Sequence, residues 1–522
     1  MNVFLALCPI IVIFVMLLVF KKSADVAGTW GWLATAVLAY FVFDTSLQVV
    51  ARSTVAGLIA SFPVSMVVAS SLLLMAFMEK TGALKRIIIF IKTIASENKA
   101  VQIMLINIGF GTLMVSVGAT PVSVLPPILL AMGYSTYMSI ALPAIGYDSL
   151  CTYALLGAPI VVFASIFKME NDLSQIGRVF AVFLPVVSTA IGFCMLWIVG
   201  KWEGIKKGWL PCIITGAVIG IIGHYTNMQN NLVVLTGIFC GIGVIIVMAL
   251  YLKVTGKKII DNSILTADEL KFAKQYPLWK AFSPWAILIF LIVCVNVYKP
   301  SFEFLYKTML LPIMGISADG KGINTRALWN AYTWIFISVL LSIPFLRPTK
   351  AQIKDTLSTF WKRAPRPVYS AAIFFAIGEV MNKSGYHIGS TFKGSPLNMI
   401  SVLANSSANA FGHAYGVIIG FIGLFGGFIT GSEASTIGMF AAYARETATK
   451  LNFGDTGVII IVAGLAFGGG LASVISPAKL QNAAAAIDKM GEENKVIPAA
   501  LVFAVILTVI STVLTVLFLK YR

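Results

Sequence analysis

Long apolar runs alternate with short polar segments along the whole chain. Twelve runs approach the roughly 20 residues that an α-helix needs to cross the hydrocarbon core of a bilayer. They lie near 3–20, 27–43, 54–78, 136–166, 177–199, 209–223, 232–252, 285–298, 327–346, 367–381, 456–487 and 496–519. The pattern predicts an all-α polytopic membrane protein with about 12 transmembrane helices.

Two further apolar stretches, near 99–132 and 412–445, are interrupted by Gly, Ser, Thr and Pro. Non-helical backbone is tolerated at membrane depth only where protein buries it or where it lines a wet cavity. We therefore predict that both stretches are re-entrant hairpins. The runs at 136–166 and 456–487, which follow them, carry late Gly- and Pro-containing breaks and are predicted to be broken helices.

The order of these elements occurs twice. FMEKTG at 77–82 and VMNKSG at 380–385 each follow an apolar span, and each precedes a predicted hairpin and a broken helix. The recurrence predicts a first half at 1–252 and a second half at 285–522, joined by a cytoplasmic linker at 253–284. Paired broken elements of this kind are typical of secondary transporters, whose sites lie near the bilayer midplane.

The composition supports a membrane protein, because 58% of the 522 residues are hydrophobic and only 11% are charged. The net charge of +17 is explained by loop position and indicates no nucleic-acid partner. Loops on one side hold 24 Lys and Arg residues, at 21–26, 79–99, 200–208, 253–284, 347–366 and 488–495, whereas the other loops and the C-terminal end hold 13. The positive-inside rule makes the first set cytoplasmic, so both termini face outward from the plasma (inner) membrane and the two halves have opposite topology.

Four ionisable residues remain inside the predicted membrane segments: Asp148, Glu379, Glu433 and Lys479. Such residues are functional candidates by default, although Glu379 lies near a loop and is expected at the interface. The six cysteines form no CxxC pair, and the chain has three histidines. We therefore expect no metal ion and no cofactor, and the chain lacks the clustered groups of a membrane-embedded enzyme.

The predicted tip of the first hairpin contains Ser116, Gly118, Thr120, Pro121 and Ser123. Glycine frees the backbone at such a turn, and proline can begin a half-helix. The unpaired N–H groups at a helix N-terminus favour an anion. We predict that Ser116, Gly118 and Thr120 bind substrate, with Ser123 a weaker candidate; the alternative is that these small residues allow close helix packing.

The predicted tip of the second hairpin holds one acid among hydroxyls: Glu433 with Ser432, Ser435 and Thr436. A carboxyl in a low dielectric favours its neutral form, so it can take up and release protons near neutrality. We predict that Glu433 carries the proton and that the three hydroxyl residues bind substrate. The alternative is a structural acid whose hydrogen bonds the hydroxyls satisfy.

Asp148 and Lys479 lie in corresponding broken helices and could pair across the site. Lys479 follows Ser476, and the proline between them places the lysine in the first turn of a half-helix, where the helix dipole disfavours a cation. We therefore assign Ser476 and Lys479 to substrate binding and Asp148 to proton coupling. Lys479 snorkelling to the interface, and Asp148 capping a helix, are the alternatives.

The chain resembles the L-lactate permease family, whose members are proton-coupled importers of 2-hydroxymonocarboxylates, over nearly its whole length. The resemblance is carried by FMEKTG (77–82), GAPI (157–160), KWEGIKKGWLP (201–211), PVYS (367–370), FITGSEAST (428–436) and ISP (475–477). The family's TGSD-type motif corresponds to residues 430–433, with Glu433 in place of Asp. The resemblance implies an inverted-repeat fold with two hairpins, an elevator-type mechanism and lactate or glycolate as substrate.

Three positions depart from the family pattern. The family's first hairpin has an EGAAGFGAP-like signature, where this chain has MVSVGATPVSV (114–124) without an acid. Asp148 replaces an uncharged polar residue, and Lys479 replaces a small polar one. These departures imply a retuned site that would suit a bulkier or more highly charged organic anion.

The leading functional hypothesis is a proton symporter that imports a small organic anion across the lipid bilayer, with a homodimer as the expected assembly. A sodium-coupled transporter of a different carboxylate or sulfonate is the alternative, because hairpin carbonyls and hydroxyls also bind Na⁺. An anion channel is a more distant alternative, because a channel typically has a selectivity filter or rings of identical residues from several subunits, whereas paired broken helices are typical of transporters.

Overall fold

Helices dominate the described residues of the computed structural model, which are 2–318, 320, 322–388 and 398–521. The helices are α1 (Asn2–Leu18), α2 (Ala24–Phe41), α3 (Leu47–Ala60), α4 (Phe62–Lys80), α5 (Ala83–Lys92), α6 (Lys99–Ile103), α7 (Gly111–Ser116), α8 (Pro121–Ala131), α9 (Thr136–Gly146), α10 (Ala154–Phe167), α11 (Leu173–Thr226), α12 (Thr236–Val254), α13 (Ala267–Gln275), α14 (Leu278–Val297), α15 (Lys299–Phe302), α16 (Ala331–Leu346), α17 (Lys350–Arg363), α18 (Pro365–Asn382), α19 (Met399–Phe411), α20 (Tyr415–Thr430), α21 (Glu433–Lys450), α22 (Gly454–Leu471), α23 (Pro477–Ala485) and α24 (Glu493–Tyr521). Short 3₁₀ segments occur at Tyr147–Tyr153, Glu170–Asp172, Val233–Leu235, Asn262–Ile264, Gly412–Ala414 and Ala472–Ile475, and π-helical ones at Met104–Phe110 and Glu303–Thr308. One antiparallel pair joins β1 (Pro312–Ile313) to β2 (Ile323–Asn324).

The helix content confirms the prediction of an all-α multi-pass membrane protein, apart from the short β pair. Within the described ranges, nine helical segments are long and apolar enough to cross a membrane, and four shorter helices are also apolar. The run predicted as one span near 54–78 is divided at Ser61 into α3 and α4. Pro63, near the start of α4, has no N–H to donate to the preceding turn, which explains the division.

Helix α11 contains a reversal of the chain at Lys201, which has a left-handed φ of 50°. The limbs before and after this residue pack antiparallel, because Gly208 lies against Leu196 and Gly223 lies against Leu184. The residues at 200–208, predicted as a loop, are therefore helical except at the reversal itself. Glycines at the contact allow the two limbs to approach closely.

The first hairpin comprises α6, the π-helical segment, α7 and α8, with its turn at 117–120. The chain leaves this hairpin beside the point where it entered, since the Tyr134 hydroxyl after α8 donates to Gln102 Oε1 in α6 at 2.8 Å. The following helices, α9 and α10, are separated by the 3₁₀ segment Tyr147–Tyr153. Left-handed residues at 155–157 then redirect the chain into α10.

The second hairpin comprises α20 and α21, with its turn at 431–432. Its two ends also meet, because the rings of Tyr415 and Tyr443 lie 6.2 Å apart. Helix α22 follows, and the 3₁₀ segment Ala472–Ile475 separates it from α23. The order of hairpin and broken helix thus recurs in both halves of the chain.

Each hairpin packs against the broken helix of the other half. Helix α8 contacts α23, and α21 contacts α10. Within each half, α7 contacts the 3₁₀ segment after α9, and α20 contacts the one after α22. The two breaks are therefore brought into one buried region where both halves meet.

Helices α20 and α22 pack backbone to backbone. A Cβ atom added at Gly468 would lie 2.0 Å from the carbonyl oxygen of Gly420, and one added at Gly427 would lie 2.1 Å from that of Gly469. Small residues permit such close contact between helices in a membrane, where there is no hydrophobic force to drive association. This contact fixes the second hairpin on its broken helix.

The predicted linker 253–284 is folded onto the start of the first hairpin. Lys92 of α5 forms an ion pair with Glu269 of α13 at 3.0 Å. Ser96 donates a hydrogen bond to Asp261 at 2.9 Å. The linker is thus fastened to the segment that leads into the hairpin.

Candidate functional site

The turn of the second hairpin is held by its own hydroxyls. Gly431 adopts a left-handed φ of 70°, and Ser432 lies extended before α21 begins at Glu433. The Thr430 hydroxyl donates to the Ser432 carbonyl at 2.9 Å, and Thr436 donates to the same oxygen at 2.8 Å. These bonds set the direction in which the first turn of α21 points.

The Glu433 side chain is only 2% exposed and reaches the break of the first half. The Thr152 hydroxyl donates to Glu433 Oε1 at 2.7 Å. The other oxygen, Oε2, has no nitrogen or oxygen partner among the described residues and lies beside the Cys151 thiol. A Cβ atom added at Gly470 of α22 would lie 2.6 Å from Oε2, so the carboxyl is enclosed on that side as well.

Three of the predicted ionisable residues act electrostatically on the same buried side chain, Cys151. The charges of Glu433, Asp148 and Lys479 all act on this buried thiol, and Lys479 also acts on Glu433. Asp148 is 2% exposed in the 3₁₀ segment, whereas Lys479 is partly exposed in α23. Acid and base from the two breaks therefore belong to one electrostatic cluster.

The serines near this cluster include one without a partner. Ser435 is 1% exposed, and its hydroxyl has no hydrogen-bond partner within the described part of the chain. Ser476 is buried before α23, and its Oγ would lie 3.5 Å from a Cβ atom added at Gly431. Thr436, in contrast, packs against Gly469 in addition to bonding the turn. Ser435 and Ser476 are thus the better placed hydroxyls for a bound anion.

The turn of the first hairpin has different neighbours. Gly118 has a left-handed φ of 89° and packs tightly on Ser71 of α4. Thr120 is exposed and precedes Pro121, which begins α8, and its hydroxyl lies 3.4 Å from that of Ser123. The geometry suits a half-helix that begins at the proline, as the sequence suggests.

Ser116 is used for packing in this structure. Its hydroxyl donates to the Thr112 carbonyl of its own helix at 2.7 Å, and it lies against Gly237 of α12. These contacts match the alternative in which a small polar residue allows helices to approach. A direct contact with substrate, as predicted for Ser116, would require this hydroxyl to change partner.

Sequence reasoning missed Thr152, Cys151 and Gly470, all of which contact or face the Glu433 carboxyl. A weak signal was present, because the apolar span carries several polar residues between positions 147 and 153. It also missed Tyr153, whose hydroxyl donates to Asn227 at 3.0 Å and ties the break to α11. Among the described residues, no group of three His, Cys, Asp or Glu side chains could hold a metal ion.

Proteins described as permeases are similar to this chain over nearly its whole length. The sequence matches the family described as L-lactate permease over residues 2–521. The L-lactate permease of Escherichia coli (strain K12) is 22% identical over 97% of this chain and 95% of its own length. Glycolate permease GlcA of the same organism is 23% identical over 98% of this chain and 95% of its own length.

One solved structure is also similar. It is that of Neisseria gonorrhoeae MtrF, described as illuminating a class of antimetabolite efflux pumps. It has 13% sequence identity and a TM-score of 0.42, and the match covers 89% of this chain and 82% of that one. Nothing about fold or function is carried over at this level of similarity.

Proposed function

The chain belongs to the L-lactate permease family, and from this premise we propose that it imports a small 2-hydroxymonocarboxylate, such as lactate or glycolate, by proton symport. The names of the related L-lactate and glycolate permeases support this class of substrate. The observation that carries the proposal is the Glu433 carboxyl, which is buried where the two halves meet and has one oxygen without a nitrogen or oxygen partner.

The substrate site in this proposal lies at the N-termini of α21 and α23. Both helices begin with N–H groups that lack intrahelical partners, and such groups favour a carboxylate. Hydroxyl donors come from Ser432, Ser435 and Ser476. Lys479 supplies a full positive charge in addition to the partial positive charge of the helix N-termini. The unpartnered Ser435 hydroxyl supports this placement, because a buried donor without a partner is costly unless a ligand satisfies it.

Proton coupling is assigned to Glu433, with Asp148 as the second acid. Glu433 takes the proton at Oε2, the oxygen that does not accept from Thr152 and that Gly470 faces, with the Cys151 thiol beside the carboxyl. Taking up one proton with one monocarboxylate moves no net charge. Lys479, which acts electrostatically on Glu433, favours release of the proton after the substrate has left.

The architecture in this proposal is an inverted repeat that works by elevator-type alternating access. Its support is the recurrence of hairpin, broken helix and cross-packing in residues 1–252 and 285–522. Topology follows from the distribution of basic residues, which places both termini outside the plasma membrane. We expect a homodimer, which cross-linking of the purified protein in lipid would detect.

Glu433→Gln tests the function directly. Purified protein in proteoliposomes is assayed for uptake of labelled lactate or glycolate under an imposed pH gradient and for counterflow exchange without a gradient. We expect the variant to lose pH-driven accumulation and to retain part of its exchange, because the amide binds substrate but carries no proton. Glu203→Gln is the matched control, since that side chain is 82% exposed. Unchanged accumulation in Glu433→Gln would show that another group couples the proton.

A sodium gradient imposed in the same assay tests the second candidate, sodium coupling. That candidate is favoured by the unpartnered oxygens of Glu433 and Ser435, since hard cations prefer oxygen ligands. Accumulation driven by Na⁺ and not by the pH gradient would replace proton symport. Movement of the anion independent of both gradients would indicate a channel.

A further inference from the structure

Thr152 and Glu433 form a hydrogen bond between the two halves of the chain. They are 281 residues apart in sequence, and their oxygens are 2.7 Å apart. Both side chains are nearly inaccessible, with Thr152 exposed by 1% and Glu433 by 2%. At such a site water does not compete for the carboxylate, so each donor beside it, the Thr152 hydroxyl and the Cys151 thiol, has a large effect on its charge state.

The Thr152 side chain is held on a rigid segment. The next residue, Tyr153, donates to Asn227, which in turn donates to Thr236 at 3.2 Å. After it, Gly157 is left-handed and lies against Val234. The hydroxyl of Thr152 is therefore presented to Glu433 by a segment whose following residues are fastened to α11, α12 and the residues before α12.

We propose that Thr152 is a positioning residue that sets the pH at which Glu433 exchanges its proton. Its hydroxyl occupies Oε1 and leaves Oε2 to take the proton. This inference rests on the proposed function, in which Glu433 couples transport to protons. A hydroxyl that donates to a carboxylate stabilises the ionised form, so its removal extends the protonated form to higher pH.

Other groups around the carboxyl stay in place when Thr152 is changed. Cys151 bonds the carboxyl from the 3₁₀ segment, and Lys479 acts on it electrostatically from α23. Asp148 acts on Cys151, and Tyr153 interacts electrostatically with Glu433, both from the 3₁₀ segment. Gly470 faces the carboxyl from α22 and is uncharged. A change in pH dependence after substitution at position 152 is thus attributable to the lost hydroxyl.

The test compares Thr152→Val, which keeps the shape and removes the donor, with Thr152→Ser, which restores the donor. Initial uptake in proteoliposomes is measured against external pH. We expect the Val variant to move the midpoint to higher pH by about one unit, as a hydrogen bond to a charged group predicts. The Ser variant should return it to the original value. Thr447→Val is the control, because this buried α21 hydroxyl donates to the Tyr443 carbonyl of its own helix, at 2.9 Å.

Infrared titration of the protonated carboxyl band, assigned by its loss in Glu433→Gln, gives a second readout without transport. It uses Thr152→Ala where the Val variant does not fold. The Thr152 variants and the original protein could show the same midpoint of the carboxyl titration while Glu433→Gln loses accumulation. That result would overturn the role of Thr152 and leave the proposed function intact. Retained pH-driven accumulation in Glu433→Gln would show that another group couples the proton, and it would overturn both the role of Thr152 and the assignment of proton coupling to Glu433.

Discussion

Gly470 leaves room for the Glu433 carboxyl, and replacing it by alanine tests the geometry of the site. The added methyl group would lie 2.6 Å from Glu433 Oε2 and 3.3 Å from Cys151 Cβ. Ordinary contact begins at 3.4 Å, so the carboxyl must move by about 0.8 Å. The helix itself is not weakened, because alanine is favoured over glycine in a helix by about 1 kcal/mol.

The displacement is enough to break the hydrogen bond from Thr152. A shift of 0.8 Å along the bond would lengthen it from 2.7 Å to about 3.5 Å, beyond the range of an O–H···O hydrogen bond. A hydrogen bond to a charged group contributes about 1.5–3 kcal/mol. Because about 1.4 kcal/mol corresponds to one pH unit, the midpoint of pH-driven uptake should move to higher pH by about one to two units, in the same direction as loss of the Thr152 hydroxyl.

The assay is pH-driven uptake of labelled lactate or glycolate in proteoliposomes, with thermal unfolding measured on the same preparations. Gly200→Ala is the control, because a Cβ atom there meets nothing within 4 Å. If uptake measured against external pH has the same midpoint in Gly470→Ala as in the control, the argument that the carboxyl position in this structure is needed for coupling is refuted.

The remaining predictions concern substrate affinity, helix packing and the linker. Lys479→Ala should weaken substrate binding at least tenfold in a thermal-shift titration, whereas the exposed Lys489→Ala should not; equal affinities would favour a snorkelling lysine. Gly468→Ala would place its methyl group 2.0 Å from a backbone carbonyl of α20 and should lower the thermal unfolding midpoint by several degrees, unlike Gly200→Ala. Burial alone would raise the pKa of Glu269, but hydrogen bonds from a backbone amide and from Lys92 outweigh it and hold that pKa below its usual 4.5. The ion pair therefore adds stability that is present above pH 4.5 and is lost as the pH falls below it. Glu269→Gln should be less stable than the original protein by about 1 kcal/mol at pH 7, with the difference shrinking in acid; a difference independent of pH would contradict this assignment.

Local signals in the sequence locate the turns, because they act on the backbone where they occur. Gly118 and Gly431 have the left-handed backbone that glycine allows at little cost. Pro121 begins α8, as its fixed φ and missing N–H favour. The apolar runs likewise predicted the multi-pass helical fold. Re-entry of the two hairpins into the membrane stays a prediction, since helix bounds alone do not place a bilayer.

The partners of the site residues could not be predicted, because they depend on contacts between distant segments. Nothing near Thr152 in sequence indicates that it meets Glu433, and only the packing of α21 on the first broken helix brings them together. The same reason explains Ser116, whose neighbour Gly237 lies on a helix far along the chain. A small polar residue near a turn can bind a ligand or pack against a helix, and its neighbours decide between the two.

The distribution of charge at the site bears on how coupling is divided between the halves. The first hairpin, at 99–132, carries no Asp or Glu. The second hairpin contributes Glu433, whose buried carboxyl accepts a hydrogen bond from the first break. The first half contributes the donor, Thr152, together with Asp148. Protonation of Glu433 weakens its attraction for that donor, so it changes the free energy of contact between the second hairpin and the first break. A carboxyl confined to one half would not have this effect. In the proposed proton symport, a site shared in this way links proton occupancy to the packing of the two halves, which is the linkage that this mechanism requires.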